Sequence, residues 1–267
     1  MSENKVYFFT YGDEKYTLQK KHICNLAKLT NRFNNIHSFS PKDIDPSFIM
    51  KFKKVLDQPI GGGYYLWKFY FLRKLISEIN NDDIVFYLDA GSSVNYKASK
   101  RIDEYIDIVN SSSSGKLSFS TTFMENQYTT KEVFKYFNID PYSKIGTNNQ
   151  LMGGLQIIKK NNSSISLLED FNNLMLSNMH LITDKYNNQN QIKEFKTHRH
   201  DQSIFSILSK IYESTILPDE TFFSSWEWEK QYKYPFLTVR KRNYRLKEKL
   251  KFYSNYKKNL TETIFFE

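Results

Sequence analysis

The sequence predicts an α/β protein in which a mostly parallel sheet is flanked by helices, and three observations carry that expectation. The first is Ile84-Val85-Phe86-Tyr87-Leu88, an apolar run of five bounded by Asn81-Asp82-Asp83 and Asp89-Ala90-Gly91. A short apolar run between turn formers reads as a strand buried on both faces. The second is the segment before it, where Leu72, Leu75, Ile76 and Ile79 recur at i, i+3, i+4 and i+7, the period of a one-faced helix. A helix feeding a buried strand is the rhythm of βαβ units. The third is composition: 40% hydrophobic and 25% charged over 267 residues, enough to bury a full core and too apolar for disorder.

Taken in order, residues 5–11 are rich in Val, Tyr and Phe and read as a buried first strand ending in the turn Thr10-Tyr11-Gly12-Asp13. Lys20 to Phe33 carries Ile23, Leu26 and Ala27 on one helical face, with Cys24 on the same stripe as a buried thiol. A second strand follows near 35–39, and Asp45-Pro46 opens a short helix with proline in its first turn. Gly61-Gly62-Gly63 breaks the pattern before the long helix that holds Trp67 and Lys68 in its first turns. Beyond the strand at 84–88, a helix is expected from 97 to 109, then a strand over 116–120. A single strand is expected over 150–159, where Gly153-Gly154 implies a close backbone approach or a bulge. A helix over 165–179 and a last helix carrying Ile204, Ile207, Leu208 and Ile211 complete the pattern.

Charge divides the chain. Of a formal net +9, the stretch from Arg240 to Lys258 holds nine basic residues against one acid, Glu248, a net +8. The expected organisation is therefore one domain over residues 1–239 and a basic, helical extension over 240–267. Leu246, Leu250 and Tyr253 share a face among lysines. That pattern suits a solvated helix or an interfacial helix on anionic lipid. Lysines interleaved with aromatics also suit single-stranded nucleic acid, but no recognition motif accompanies them, so no nucleic-acid partner is expected. No stretch approaches the roughly 18 apolar residues needed to span a bilayer, and Val6–Thr10 is too short for a signal peptide. A cytoplasmic protein is expected, with peripheral membrane contact through residues 240–258. The single cysteine, Cys24, excludes an internal disulfide and a cysteine-cluster zinc site.

Chemistry concentrates in three places. Asp89, at the carboxyl end of a buried strand, stands where open α/β sheets bind ligands. It can hold a divalent cation or a ribose hydroxyl, or simply cap a turn. The triple glycine at 61–63 lacks the Gly-Lys-Ser/Thr ending of a phosphate loop, yet Lys68 just beyond it is a cation beside unpaired helix amides, suited to a diphosphate or to solvent. His198-Arg199-His200-Asp201-Gln202 gathers metal-ligand, phosphate-contact and base chemistry in one turn, with Asp201 alternatively a helix cap. There is no His-Glu-x-x-His, no Gly-x-Ser-x-Gly and no Gly-x-Gly-x-x-Gly, which weighs against hydrolase and dinucleotide chemistry.

In this order the segments resemble a group of GT-A-fold, Rossmann-like glycosyltransferase-like proteins of bacteria and large DNA viruses. The pieces are Val6 to Asp13, Gly63-Tyr64-Tyr65-Leu66-Trp67-Lys68, Asp82 to Gly91, Glu125 with Thr130-Lys131, Gln150-Leu151-Met152-Gly153-Gly154 and His198 to Ser203. The resemblance implies transfer of a sugar from a nucleotide-sugar donor, expected to be a UDP-sugar, to a hydroxyl on a glycan or lipid-linked acceptor. It implies donor contacts from Thr10, Tyr11, Trp67, Lys68, Asp89, Gly91 and Arg199. It also implies either Mn²⁺ or Mg²⁺ on Asp89 with His198 or His200, or neutralisation of the phosphates by Lys68 without metal, and base work by Asp201 or Glu125. The chain departs from the metal-binding Asp-x-Asp pattern, because Gly91 stands at its third position. That departure sustains the alternative of a non-catalytic nucleotide-sugar-binding protein.

Overall fold

A computed structural model describes residues 4–223 and 228–238. The strands are β1 (Val6–Tyr11), β2 (Asn35–Phe39), β3 (Ile84–Leu88), β4 (Ser93–Val94), β5 (Lys116–Met124), β6 (Asn149–Leu151), β7 (Leu155–Lys159), β8 (Thr215–Pro218) and β9 (Phe236–Leu237). Five long helices join them: α1 (Thr17–Leu29), α2 (Leu66–Glu78), α3 (Ser99–Ser111), α4 (Asn162–Ser177) and α5 (Asp201–Ile211).

The main sheet runs β2-β1-β3-β7-β5-β6, with β8 also paired to β5. β1 is parallel to β2 and to β3, and β8 is parallel to β5, whereas β7 runs antiparallel to β3 and β5, and β6 antiparallel to β5. Thus β1, β2, β3, β5 and β8 point one way and only β6 and β7 oppose them, the mostly parallel sheet expected from the pattern. The chain leaves β1 towards β2 on one side and returns to β3 on the other, so a crevice opens between the carboxyl ends of β1 and β3.

Alternation along the strands builds two cores. Phe9, Tyr11, Val85, Tyr87 and Ile158 face the layer of α2, α4 and α5. Val6, Phe8, Ile84, Phe86, Leu88 and Ile157 face α1 and α3, where Cys24 is buried. Every residue of β3 is buried, which is why its sequence is apolar without a period.

Several boundaries differ from the sequence reading; the helix expected over Lys20 to Phe33, for one, runs Thr17–Leu29. The expected single strand over 150–159 is two, β6 and β7, because the ladder along β5 is interrupted at Met152–Gly154 while both pieces keep the same direction. Strand β5 continues to Met124 through a register shift between Ser120 and Met124. Asp201 is the first residue of α5, and His200 holds the cap position. The expected extension over 240–267 lies outside the described residues.

Candidate functional site

Three charged residues distant in sequence meet at the carboxyl end of β3. Lys68, in the first turn of α2, donates from Nζ to Asp201 Oδ2 at 2.6 Å and to the Gly153 carbonyl at 2.9 Å, while Asp89 Oδ1 lies 3.9 Å away. Antiparallel pairing makes the meeting possible: Leu88 stands opposite Leu155, so the start of β7 runs alongside Asp89, whose N–H donates to the Gly154 carbonyl at 2.9 Å. A Cβ on Gly154 would sit 2.9 Å from Asp89 Oδ2, and one on Gly153 would sit 2.8 Å from Gln202 Cβ. The close backbone approach expected of this glycine pair is therefore met by a carboxylate on one side and by α5 on the other.

Burial separates the roles of the three. The side chains of Lys68 and Asp201 are 3% and 4% exposed, that of Asp89 44%. Burial alone would lower the Lys68 ammonium, but Asp201 and then Asp89 outweigh it and hold it above its usual value. The rings of Tyr87, Tyr65 and Trp67 surround the same ammonium at 5.1, 5.5 and 5.8 Å. Burial pushes the Asp201 carboxyl up and Lys68 opposes that push. Its Oδ2 is engaged by Lys68, and Oδ1 has no hydrogen-bond partner among the described residues. The Tyr87 hydroxyl donates to Asp89 Oδ1, and burial together with that carboxylate raises the phenol well above its usual range. The result is one solvent-facing carboxylate, Asp89, held by a phenol, with an internally balanced Lys68–Asp201 pair behind it.

Backbone strain gathers on the rim. Tyr64 and Tyr65 hold φ of 53° and 61°, and His200 holds φ 54° with ψ −124°. For residues with a Cβ such values cost of order 1–3 kcal/mol each and persist only where the surroundings enforce them. Here His200 packs on Tyr64 at 4.8 Å between ring centroids, and its Nε2 is 2.9 Å from Asp184 Oδ1. The triple glycine is closed from within, Trp67 Nε1 donating to the Gly61 carbonyl at 2.9 Å, so it is a knotted entry to α2.

The remaining sequence candidates fall elsewhere. Thr10 is fully buried and donates Oγ1 to the Leu88 carbonyl at 2.8 Å, tying β1 to β3. Tyr11, the last residue of β1, stacks on Trp67 at 3.9 Å, both nearly buried. Gly91 lies in the turn after Asp89, where Ser92 N–H donates to the Asp89 carbonyl. The Arg199 guanidinium lies over the rings of Phe123 and Tyr128 at 3.8 and 4.3 Å. Glu125 is sealed at 0% exposure: it accepts from Lys210 Nζ at 2.8 Å, Thr129 Oγ1 at 2.6 Å, Gln150 Nε2 at 3.0 Å and Ser206 Oγ. That arrangement leaves no approach for a substrate hydroxyl. His198 is 2% exposed, neither ring nitrogen makes a well-formed hydrogen bond, and burial lowers it to about 3.

These placements bear on the metal expectation. Among the described residues, no group of three or more His, Cys, Asp or Glu side chains is placed to hold a metal ion. His198 is buried and His200 is engaged by Asp184, so neither joins Asp89. Asp89 alone fits a hard cation only as one ligand among oxygens from a diphosphate and water, the way magnesium is commonly held. Tyr65, Tyr87 and Gln202 complete the site, and sequence reading assigned them no role. Tyr87 and Asp89, two apart at a strand end, were the available signal.

No protein-family model matches the chain, and no curated protein is detectably similar in sequence. Among solved structures the chain is similar to a glycosyltransferase involved in glycosylation of the major capsid of PBCV-1, at 11% identity over 88% of this chain and 92% of that one, TM-score 0.46. It is similar to mouse xyloside xylosyltransferase 1 at 11% identity over 84% and 89%, TM-score 0.44. It is also similar to the galactosyltransferase LgtC, in complex with donor and acceptor sugar analogues, at 13% identity over 84% and 77%, TM-score 0.43. Likeness at this level carries no argument about residues or chemistry. No helix of the described residues is long and apolar enough to cross a membrane.

Proposed function

We propose that the chain is a glycosyltransferase that takes a nucleotide-sugar donor in the β1–β3 crevice and delivers the sugar to a hydroxyl of a glycan or lipid-linked acceptor. The observation that carries the proposal is the convergence of Lys68, Asp89 and Asp201 beside Gly153-Gly154 at the carboxyl ends of the strands, from segments the sequence resemblance had singled out. Asp89 faces the donor. Asp89 would hold a hard cation, Mg²⁺ or Mn²⁺, together with the diphosphate, and that cation would supply positive charge to the leaving diphosphate. Asp201 Oδ1 accepts a hydrogen bond from a donor-sugar hydroxyl, and Lys68 holds both carboxylates and the Gly153 carbonyl in register. Because Asp201 already balances the ammonium, Lys68 acts through position rather than as a free phosphate ligand.

The bond formed is acceptor oxygen to anomeric carbon, and the bond broken is anomeric carbon to phosphate oxygen. The acceptor proton passes to a carboxylate at the site if configuration inverts, or to the leaving phosphate if it is retained. The donor is proposed to be a UDP-sugar. The single exposed carboxylate favours a second reading, a nucleotide-sugar-binding protein without transfer. A thermal-shift screen of nucleotide sugars with Mg²⁺, Mn²⁺ or EDTA, followed by donor hydrolysis on any hit, separates the two. Stabilisation with turnover supports the transferase, stabilisation without turnover the binding protein, and no stabilisation by any nucleotide sugar overturns both.

A further inference from the structure

A concave site lies between the start of α3 and the segment that leads into β9. It is a pocket of about 470 Å³ lined by Lys97, Lys100, Arg101, Glu104, Lys233, Tyr232 and Tyr234. Its one lining acid, Glu104, pairs with Arg101, which also reaches Glu220 behind the wall through Nε at 3.0 Å and Nη2 at 2.5 Å, so the trio carries a net −1. Tyr105 adds a hydrogen bond to Glu220 at 2.5 Å. By contrast, the exposed ammonium groups of Lys97, Lys100 and Lys233 have no ion pair or hydrogen bond among the described residues. Three exposed ammonium groups against the one negative charge that Arg101 leaves uncompensated give the concavity a positive potential, which favours an anion.

The walls are built before any ligand arrives. Asn95 Nδ2 donates to the Tyr232 carbonyl at 3.0 Å and to the Tyr234 carbonyl at 3.4 Å, and its N–H donates to the Pro235 carbonyl at 2.8 Å. Strand β9 pairs with β4, Phe236 is buried against Phe86 and Tyr105, and Tyr234 stacks on Phe223 at 5.3 Å. In sequence, the wall that carries Lys233 is followed within ten residues by Arg240-Lys241-Arg242, the start of the +8 stretch. A cationic pocket and a cationic segment are thus adjacent along the chain, and the three lysines outnumber the one negative charge left where Arg101 meets Glu104 and Glu220.

We propose that this pocket binds a phosphate-bearing anion, with Lys97, Lys100 and Lys233 as its charged ligands. The site is separate from the Asp89 cluster and does not depend on the glycosyltransferase reading. Free phosphate compounds and phospholipid headgroups share this chemistry, and two probes distinguish them. The first is inorganic pyrophosphate, titrated calorimetrically into the full chain. The second is sedimentation with phosphatidylcholine vesicles, with or without phosphatidylglycerol.

The test variant is Lys97→Gln/Lys100→Gln/Lys233→Gln, whose surface changes leave the fold to be checked by its melting curve. A control variant, Arg240→Gln/Lys241→Gln/Arg242→Gln, weakens the basic segment and leaves the pocket intact. Because a charge-assisted hydrogen bond is worth about tenfold or more in affinity, binding of the relevant probe is expected to fall at least about tenfold in the pocket variant. The control is expected to bind pyrophosphate like the parent. Loss confined to pyrophosphate assigns a free phosphate compound, and loss of phosphatidylglycerol-dependent sedimentation assigns a lipid headgroup. Binding of both probes that is unchanged in the pocket variant, or a parent chain that binds neither, overturns the proposal. Stabilisation by UDP must be equal in parent and pocket variant, so the donor-site reading stands or falls separately.

Discussion

Helix α5 touches two buried acid–lysine pairs, and only one of them lies beside a solvent-facing carboxylate. At its first residue, Asp201 pairs with Lys68 beside the half-exposed Asp89. Further along, Ser203, Ser206 and Lys210, spaced i, i+3 and i+7, turn to the opposite side. There Ser206 and Lys210 bond Glu125, and Ser203 meets Gln150, which itself donates to Glu125. Both pairs are buried, both join segments far apart in sequence, and both carboxylates were candidate bases by sequence. The difference lies in what each acid has left to offer. Glu125 accepts from four donors and is closed, whereas the Asp201 cluster keeps Asp201 Oδ1 unpartnered and Asp89 outward. A buried charge with all its bonds made is a structural tie, and one with an acceptor left facing a crevice is a binding group.

Four measurements break or sharpen that contrast. The largest effect is expected from Lys68→Met, which leaves two carboxylates facing each other without their cation. Losing one partner of such a buried pair should cost about 3–5 kcal/mol in urea unfolding, and nucleotide-sugar stabilisation should vanish with it. Glu125→Gln strands the Lys210 ammonium and should cost about 3 kcal/mol. Ligand stabilisation should survive in the protein that remains folded. Equal loss of ligand binding in both variants would erase the distinction between the two pairs.

An intermediate effect comes from His198, buried just before α5. Its folded-state value of about 3 lies below the unfolded 6.5, so between them the unfolded chain binds the extra proton. Its contribution is present above pH 6.5 and is lost as pH falls towards 3, at up to about 1.4 kcal/mol per pH unit. Urea midpoints at pH 7 and pH 5 should therefore separate more in the parent than in His198→Gln. The smallest stability effect belongs to Asp89→Ala, expected within about 1 kcal/mol because its side chain is half-exposed. Nucleotide-sugar stabilisation and any transfer should nonetheless be abolished. A large loss of stability there would make Asp89 a tie like Glu125.

Much of the fold was legible because local pattern and burial agree. The apolar run at 84–88, the periodic helix before it and the turn residues between elements each report a local environment that the structure keeps. The 150–159 segment reads as one strand because alternation does not show the break at Met152–Gly154, across which both pieces stay antiparallel to β5. Strands β8 and β9 went unpredicted, since each is short and takes its partner from distant sequence, Leu117–Ser120 and Ser93–Val94 respectively. In the site, Asp89, Lys68 and Asp201 were picked out as residue types in suggestive places, but so were Glu125, His198 and Thr10, which tertiary packing closed.

The sequence by itself determined the layered α/β class, the strand-end carboxylate and the separation of a near-neutral body from a basic stretch. These follow from periodicity, turn chemistry and charge, which are properties of neighbouring residues. Only the tertiary structure decided which acids pair with which lysines, which carboxylate faces the crevice, and that Lys97, Lys100 and Lys233 surround one pocket. Those outcomes depend on distances between segments far apart in sequence, 133 residues for Lys68 and Asp201, and on the solvent each charge retains once the segments meet. Burial sets the energy of a charge, and burial is known only after folding.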